Sequence, residues 1–159
     1  MKTKNHKILA LLNIEEPIET IIESTVNLAE TFQASVNFFY VKKKFDPLRT
    51  ENQLAVIRTE VEEQRAVEKL KNIVARTQKR TSVQLGYTIS LGNVKKTIKS
   101  EIQSYHPDLI VLGKRAPNIY RVFGKQITEV VLSNFDGPVL IAHPSKVLEI
   151  KENLSVGVL

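Results

Sequence analysis

The sequence predicts an α/β domain with a doubly wound parallel sheet and helices on both faces. Lys7 to Asn13 and Asp108 to Gly113 are short runs, apolar through their middles, as expected of strands buried on both faces of a parallel sheet. Between such runs lie stretches whose apolar residues recur at helical spacing. Strand and helix therefore alternate from one end of the chain to the other, which demands right-handed crossovers. At 159 residues, 42% of them hydrophobic, the chain can build one sizeable core and is too short for two ordinary domains.

The first strand, Lys7 to Asn13, is followed by Glu15, Glu16 and Pro17, a helix start, because acids favour the first turn and proline tolerates its missing N–H there. Ile18, Ile21, Ile22, Thr25, Leu28, Ala29 and Phe32 then form one helical stripe. Ser35 to Val41 reads as the second strand, ended by Lys42 to Pro47. A long helix is expected from about Thr50 to Gln78, with Leu54, Ile57, Val61, Leu70, Ile73 and Val74 on one stripe and charges on the other face. Ser82 to Leu91 is the third strand, and its alternation of apolar with smaller or polar residues marks an edge position.

Gly92-Asn93 punctuates the next crossover, with Asn93 as N-cap of a helix carrying Val94, Ile98 and Ile102. His106-Pro107 stops that helix, since proline disfavours the helical conformation in the residue before it. Asp108 to Gly113 is the fourth strand. A helix from about Val122 to Ser133 leads through Asp136-Gly137-Pro138 to the fifth strand, Val139 to His143. In doubly wound sheets ligands bind beyond the carboxyl ends of the strands where strand order reverses, so the informative loops follow Leu12, Val41, Leu91 and Leu112.

Composition narrows the function. The absence of cysteine excludes disulfides and thiolate-held metals. The apolar run Ile8 to Leu12 is too short for a signal-peptide core, and no stretch approaches the roughly 20 apolar residues of a membrane span, so the cytoplasm is the expected compartment. A formal charge of +6 invites nucleic acid, but the bases are dispersed among acids and lack interleaved aromatics for base stacking, so that partner is not expected. His6, His106 and His143 have no local ligand spacing and read as structural or exposed, with no metal site. Ser24, Ser35 and Ser133 have no nucleophile-elbow motif, and the acids between Thr50 and Gln78 read as charge pairs on an exposed helix face. No enzyme activity is expected.

Asp108-Leu109-Ile110-Val111-Leu112-Gly113, followed by Thr128-Glu129-Val130-Val131-Leu132 and Gly137-Pro138-Val139-Leu140-Ile141, resembles the last βαβ unit of the universal stress protein family. Gly92-Asn93 sits at that family's usual Gly-Asp or Gly-Asn turn, and the resemblance runs from about residue 6 to 144. It implies five parallel strands in the order 3-2-1-4-5, with a homodimer paired through the fifth strands, here Val139 to His143. Nucleotide-binding members carry Gly-x2-Gly-x9-Gly-Ser/Thr after the fourth strand, where small residues let backbone N–H groups approach phosphates. On this chain the pattern falls on Gly113, Ala116, Gln126 and Ile127; anchored instead on Thr128-Glu129, it falls on Lys125-Gln126. Either way the final glycine and hydroxyl are lost.

At the end of the first strand Asn13 stands where binding members usually carry Asp. The candidate nucleotide site, functional or vestigial, therefore comprises Asn13, Val41, Gly113, Arg115, Ala116, Gln126, Ile127 and Thr128. The cations Lys114, Arg115, Arg121 and Lys125 read either as an anion clamp or as a solvated basic loop, and Pro117 removes an N–H from that loop. Leu11 to Glu16 contains no glycine, unlike the pyrophosphate loop of ATP-pyrophosphatases. The expected function is a non-catalytic stress-response module acting through dimerisation, with no cofactor and at most weak ATP binding; the alternative is an ATP-binding stress sensor with a diverged phosphate loop. The domain is expected over 1–144. Residues 145–159 read as a linker or tail with an added strand at 154–159, which resembles the opening strand of a second such domain in a tandem protein.

Overall fold

In the computed structural model of the chain, residues 5–12, 18–42, 53–113, 121–143 and 146–151 are described, with the backbone alone for 121–126, 143 and 146–151. The elements run β1 (Lys7–Leu12), α1 (Ile18–Phe32), β2 (Ser35–Lys42), α2 (Gln53–Gln78), β3 (Leu85–Leu91), α3 (Val94–Tyr105), β4 (Leu109–Gly113), α4 (Arg121–Asn134), β5 (Val139–His143) and β6 (Lys146–Lys151). They form one sheet in the order β3-β2-β1-β4-β5-β6. The first five strands are parallel in the order 3-2-1-4-5, as expected, and β6 adds antiparallel to β5.

β1 lies at the centre, paired with β2 on one side and β4 on the other. Its period-2 alternation divides the core in two. Ile8, Ala10 and Leu12 join Val36, Phe38 and Tyr40 of β2, Leu140 of β5 and the inward stripes of α1 and α2. Leu9 and Leu11 face the opposite way, joining Phe39, Ile110 and Leu112 with Ile98 and Ile102 of α3 and Val130 and Val131 of α4. Residues 8–12 are buried throughout, which is why they read as an unbroken apolar run.

Local chemistry sets the ends of several elements. Gln33 and His106 adopt left-handed backbone after α1 and α3, where late helical carbonyls are satisfied: the Ala34 N–H donates to Ala29 at 2.9 Å, and the His106 N–H to Ile102 at 3.2 Å. Asn93 caps α3, its side-chain oxygen accepting the Lys96 N–H at 3.1 Å. Gly92, just before it, has φ +138°, a conformation open to glycine and strained for any side chain.

Three expectations about elements are corrected. β3 begins at Leu85 rather than Ser82, because the Gln78 side-chain amide ties down the approach: it donates to the Val83 carbonyl and accepts the Leu85 N–H, both at 2.8 Å. In α2, Leu54, Ile57 and Val61 do not share the stripe of Leu70, Ile73 and Val74. Val61 and Leu70 are nine residues apart, about 180° around a helix at about 100° per residue. Leu70 is accordingly 1% exposed and Leu54 69%. Val139–His143 is not an open edge, because β6 pairs along it from Val139↔Lys151 to His143↔Lys146, with an irregularity between Ile141 and His143. β6 lies inside the stretch read as a linker or tail; the strand expected at 154–159 falls outside the described residues, as do the expected helix starts at 15–17 and 50–52.

Two stability outcomes follow from these placements and can be read by urea denaturation. Leu70→Ala is expected to cost about 2–5 kcal/mol, as for other buried leucines, whereas Leu54→Ser stays within about 0.5 kcal/mol. In the turn after β3, Gly92→Ala is expected to cost about 1–3 kcal/mol through backbone strain, and Asn93→Ala about 1 kcal/mol through the lost cap. Equal losses for Leu54 and Leu70 variants would contradict the division of α2 into an inward and an outward face.

Candidate functional site

The chain winds from β1 to β2 and β3 in one direction and through β4 and β5 in the other, so the strand order reverses between β1 and β4. At a reversal of this kind the two crossovers leave in opposite directions and open a crevice at the carboxyl ends of the strands. At that end of the sheet β1 and β4 finish on Leu12 and Gly113, both buried, with Leu11 in register with Leu112 and Gly113 with Ala142.

The candidate residues divide by element. Gly113 closes β4 at the crevice, as its position in the sequence implied. Val41, near the end of β2, is half-buried and packs against the α3-α4 core, so it supplies apolar wall. The following residue links the turn after β3 to the same end of the sheet, the Lys42 carbonyl accepting the Gly92 N–H at 3.4 Å. Asn13, Arg115 and Ala116 lie outside the described residues, as do Lys114 and Pro117.

α4 contributes the remaining candidates. Its backbone begins at Arg121, so Arg121, Lys125 and Gln126 occupy its first two turns, at the helix end where partial positive charge accumulates. Thr128 is half-buried. Ile127 is 4% exposed and belongs to the core formed with Leu9, Leu11, Ile110 and Leu112. Its side chain is thereby committed to packing between helix and sheet.

The shifted titratable groups among the described residues lie outside this crevice. Lys69 of α2 donates a hydrogen bond to Glu19 in the first turn of α1, holding that carboxyl below its usual range. Burial pushes the Tyr105 hydroxyl up, partly offset by its hydrogen bond with Ser35. No group of three or more histidine, aspartate or glutamate side chains among the described residues is arranged to hold a metal ion. None of the described helices is long and apolar enough to cross a membrane.

The sequence reading passed over a polar cluster at the opposite, amino ends of the strands. Asp108 Oδ2 accepts the Lys7 N–H at 2.9 Å, the Asp108 N–H donates to the Lys7 carbonyl at 2.8 Å, and His6 Nδ1 lies 3.9 Å from the same Oδ2. The Lys7 ammonium turns toward α3, donating to the Tyr105 carbonyl at 3.3 Å and lying 5.4 Å from the centre of its ring. The available signal was the pairing of β1 with β4, which brings the residues preceding each strand together.

Comparison with known proteins agrees with the geometry. A family model described as the universal stress protein family matches residues 5–143. Among solved structures, the universal stress protein UspA from Lactobacillus plantarum is 24% identical, with 89% of this chain and 99% of that one covered at a TM-score of 0.61. A universal stress protein from Archaeoglobus fulgidus in complex with dAMP is 16% identical, with 88% and 99% covered at a TM-score of 0.54. A universal stress protein family protein from Arabidopsis thaliana with AMP bound is 14% identical, with 87% and 91% covered at a TM-score of 0.53. A search among curated proteins returned no match. With the family model spanning nearly the whole chain and the strand order the same, this chain belongs to the universal stress protein family.

Proposed function

We propose that the chain is a cytoplasmic, non-catalytic module of the stress response that acts by associating with a second copy, with nucleotide binding weak or lost. The observation that carries this reading is the burial of Ile127. In the ungapped alignment it stands at the family's Ser/Thr position, and here that position serves the core. Ala116 adds a Cβ where binding members have glycine, and Pro117 lacks a backbone N–H. Phosphate affinity in this loop would then depend on cationic side chains, without the backbone cradle that anion sites at helix N-termini use.

A second reading, an ATP-binding sensor with a diverged loop, draws support from the relatives solved with AMP and dAMP. It is also supported by Gly113 and by the cations Arg121 and Lys125 at the start of α4. The two readings differ in affinity. Isothermal titration is expected to give ATP binding no tighter than about 1 mM. Ile127→Ser is expected to lose about 2–5 kcal/mol of stability through removal of buried apolar volume, with no gain in ATP affinity. Saturation at low micromolar ATP would establish the sensor instead.

The association is proposed on the β5–β6 side of the sheet. Since β6 covers the backbone edge of β5, direct pairing through Val139–His143 requires β6 to be displaced. Light scattering is expected to give a dimer for the full chain at high micromolar concentration. Truncation after His143 bares β5 and is expected to raise self-association further. A monomeric full chain alongside a dimeric truncation would reject dimerisation as the mode of action.

A further inference from the structure

Between α1 and the amino ends of β1, β4 and β5 lies an opening of about 350 Å³. Leu28 and Phe32 in the last turns of α1 line one side, and Ile8, Leu109, Pro138 and Leu140 line the other. Leu28 and Leu109 are only partly covered by the core they pack against, and Phe32 is 57% exposed although it continues the apolar stripe of α1. The described residues thus gather apolar surface here without closing over it. The space is about twice that of the roughly 150 Å³ apolar cavity that accepts benzene, which leaves room for two aliphatic side chains.

The course of β6 brings an apolar segment of the same chain within reach. β6 runs antiparallel to β5 and ends with Lys151 opposite Val139, so the chain leaves it at the amino end of β5. Val139 stands between Pro138 and Leu140, both of which line the opening. Only Glu152 and Asn153 separate Lys151 from Leu154, and three residues of extended chain span about 10 Å. Leu154-Ser155-Val156-Gly157-Val158 alternates apolar with small residues, so in extended form it presents Leu154, Val156 and Val158 on one side. None of its side chains is charged, so none resists transfer to apolar surroundings as an ion would. A segment tethered this closely meets the opening at an effective concentration of about 1 mM or more, so a contact with a Kd of about 0.1 mM between separate molecules is mostly formed within one chain. We propose that residues 154–158 dock in the opening below α1, with Leu154 and Val156 filling it and the Phe32 ring lying against them. The docked segment continues the path of β6 and lies at the end of the sheet opposite the nucleotide crevice.

The test is methyl NMR of the full chain with its leucine and valine methyls isotope-labelled. Nuclear Overhauser contacts are expected from the Leu154 and Val156 methyls to those of Leu28 and Leu109. Leu154→Asp puts a carboxylate where the site is apolar, and is expected to abolish the contacts from Val156 while the rest of the spectrum stays folded. Truncation after Asn153 keeps β6 and is expected to shift the Leu28, Leu109 and Leu140 methyls, leaving Leu11 in the opposite layer unmoved. The full-chain contacts keep the test decisive should the truncated chain unfold. The proposal is overturned if the full chain shows no contact between the segment and Leu28 or Leu109, if those contacts survive Leu154→Asp, or if a folded truncation shifts none of the three methyls. A mixture of labelled and unlabelled chains identifies the other occupant: contacts seen only between different molecules place the segment of a second copy in the opening, and that result also overturns docking within one chain.

Discussion

The rest of the structure depends on the burial of β1 on both faces. Ile8, Ala10 and Leu12 seat α1 and the inward side of α2, while Leu9 and Leu11 seat the layer closed by α3 and α4. A strand in this position can lie only in the interior of a sheet covered on both sides, and its right-handed crossovers send the chain first to one flank and then to the other. The reversal between β1 and β4, and with it the crevice, follows from that single central strand.

The two ends of the sheet have different chemical characters. At the carboxyl ends, where members of this architecture generally place ligands, the chain has committed Ile127 and Val41 to apolar packing and retains Gly113. At the amino ends, the β1–β4 pairing brings His6, Lys7 and Asp108 together beside an apolar opening below α1. The two ends differ because side chains at the strand ends can vary without disturbing the alternating pattern that holds the layers.

The flanks of the sheet also differ. Among the described residues β3 is the last strand on its flank, with Tyr87 and Leu91 exposed and a first residue held by Gln78. β5 is covered by β6, which satisfies a row of backbone groups that would otherwise be open to another chain. Association on that side therefore has to reckon with a strand whose sequence, Lys146-Val147-Leu148-Glu149-Ile150-Lys151, carries a lysine at each end. Charged residues on an edge strand weigh against indiscriminate pairing.

By itself the sequence determined the alternation of elements, the burial of β1 and β4, the edge character of β3, the capping role of Asn93 and the family. These are all recorded locally, in hydrophobic period, turn residues and motif spacing. Only the tertiary structure decided which apolar residues on α2 are core, that β6 occupies the edge of β5, that Ile127 is core, and that His6 meets Asp108. Leu54 and Leu70 are chemically identical, and their fates differ because the sheet lies against only one side of the helix. The stretch 146–151 is too short and too mixed to declare itself a strand until β5 presents a ladder for it to complete. His6 and Asp108 are about a hundred residues apart and become neighbours only because β1 and β4 pair in register, a relation that sheet order creates and local patterning does not carry.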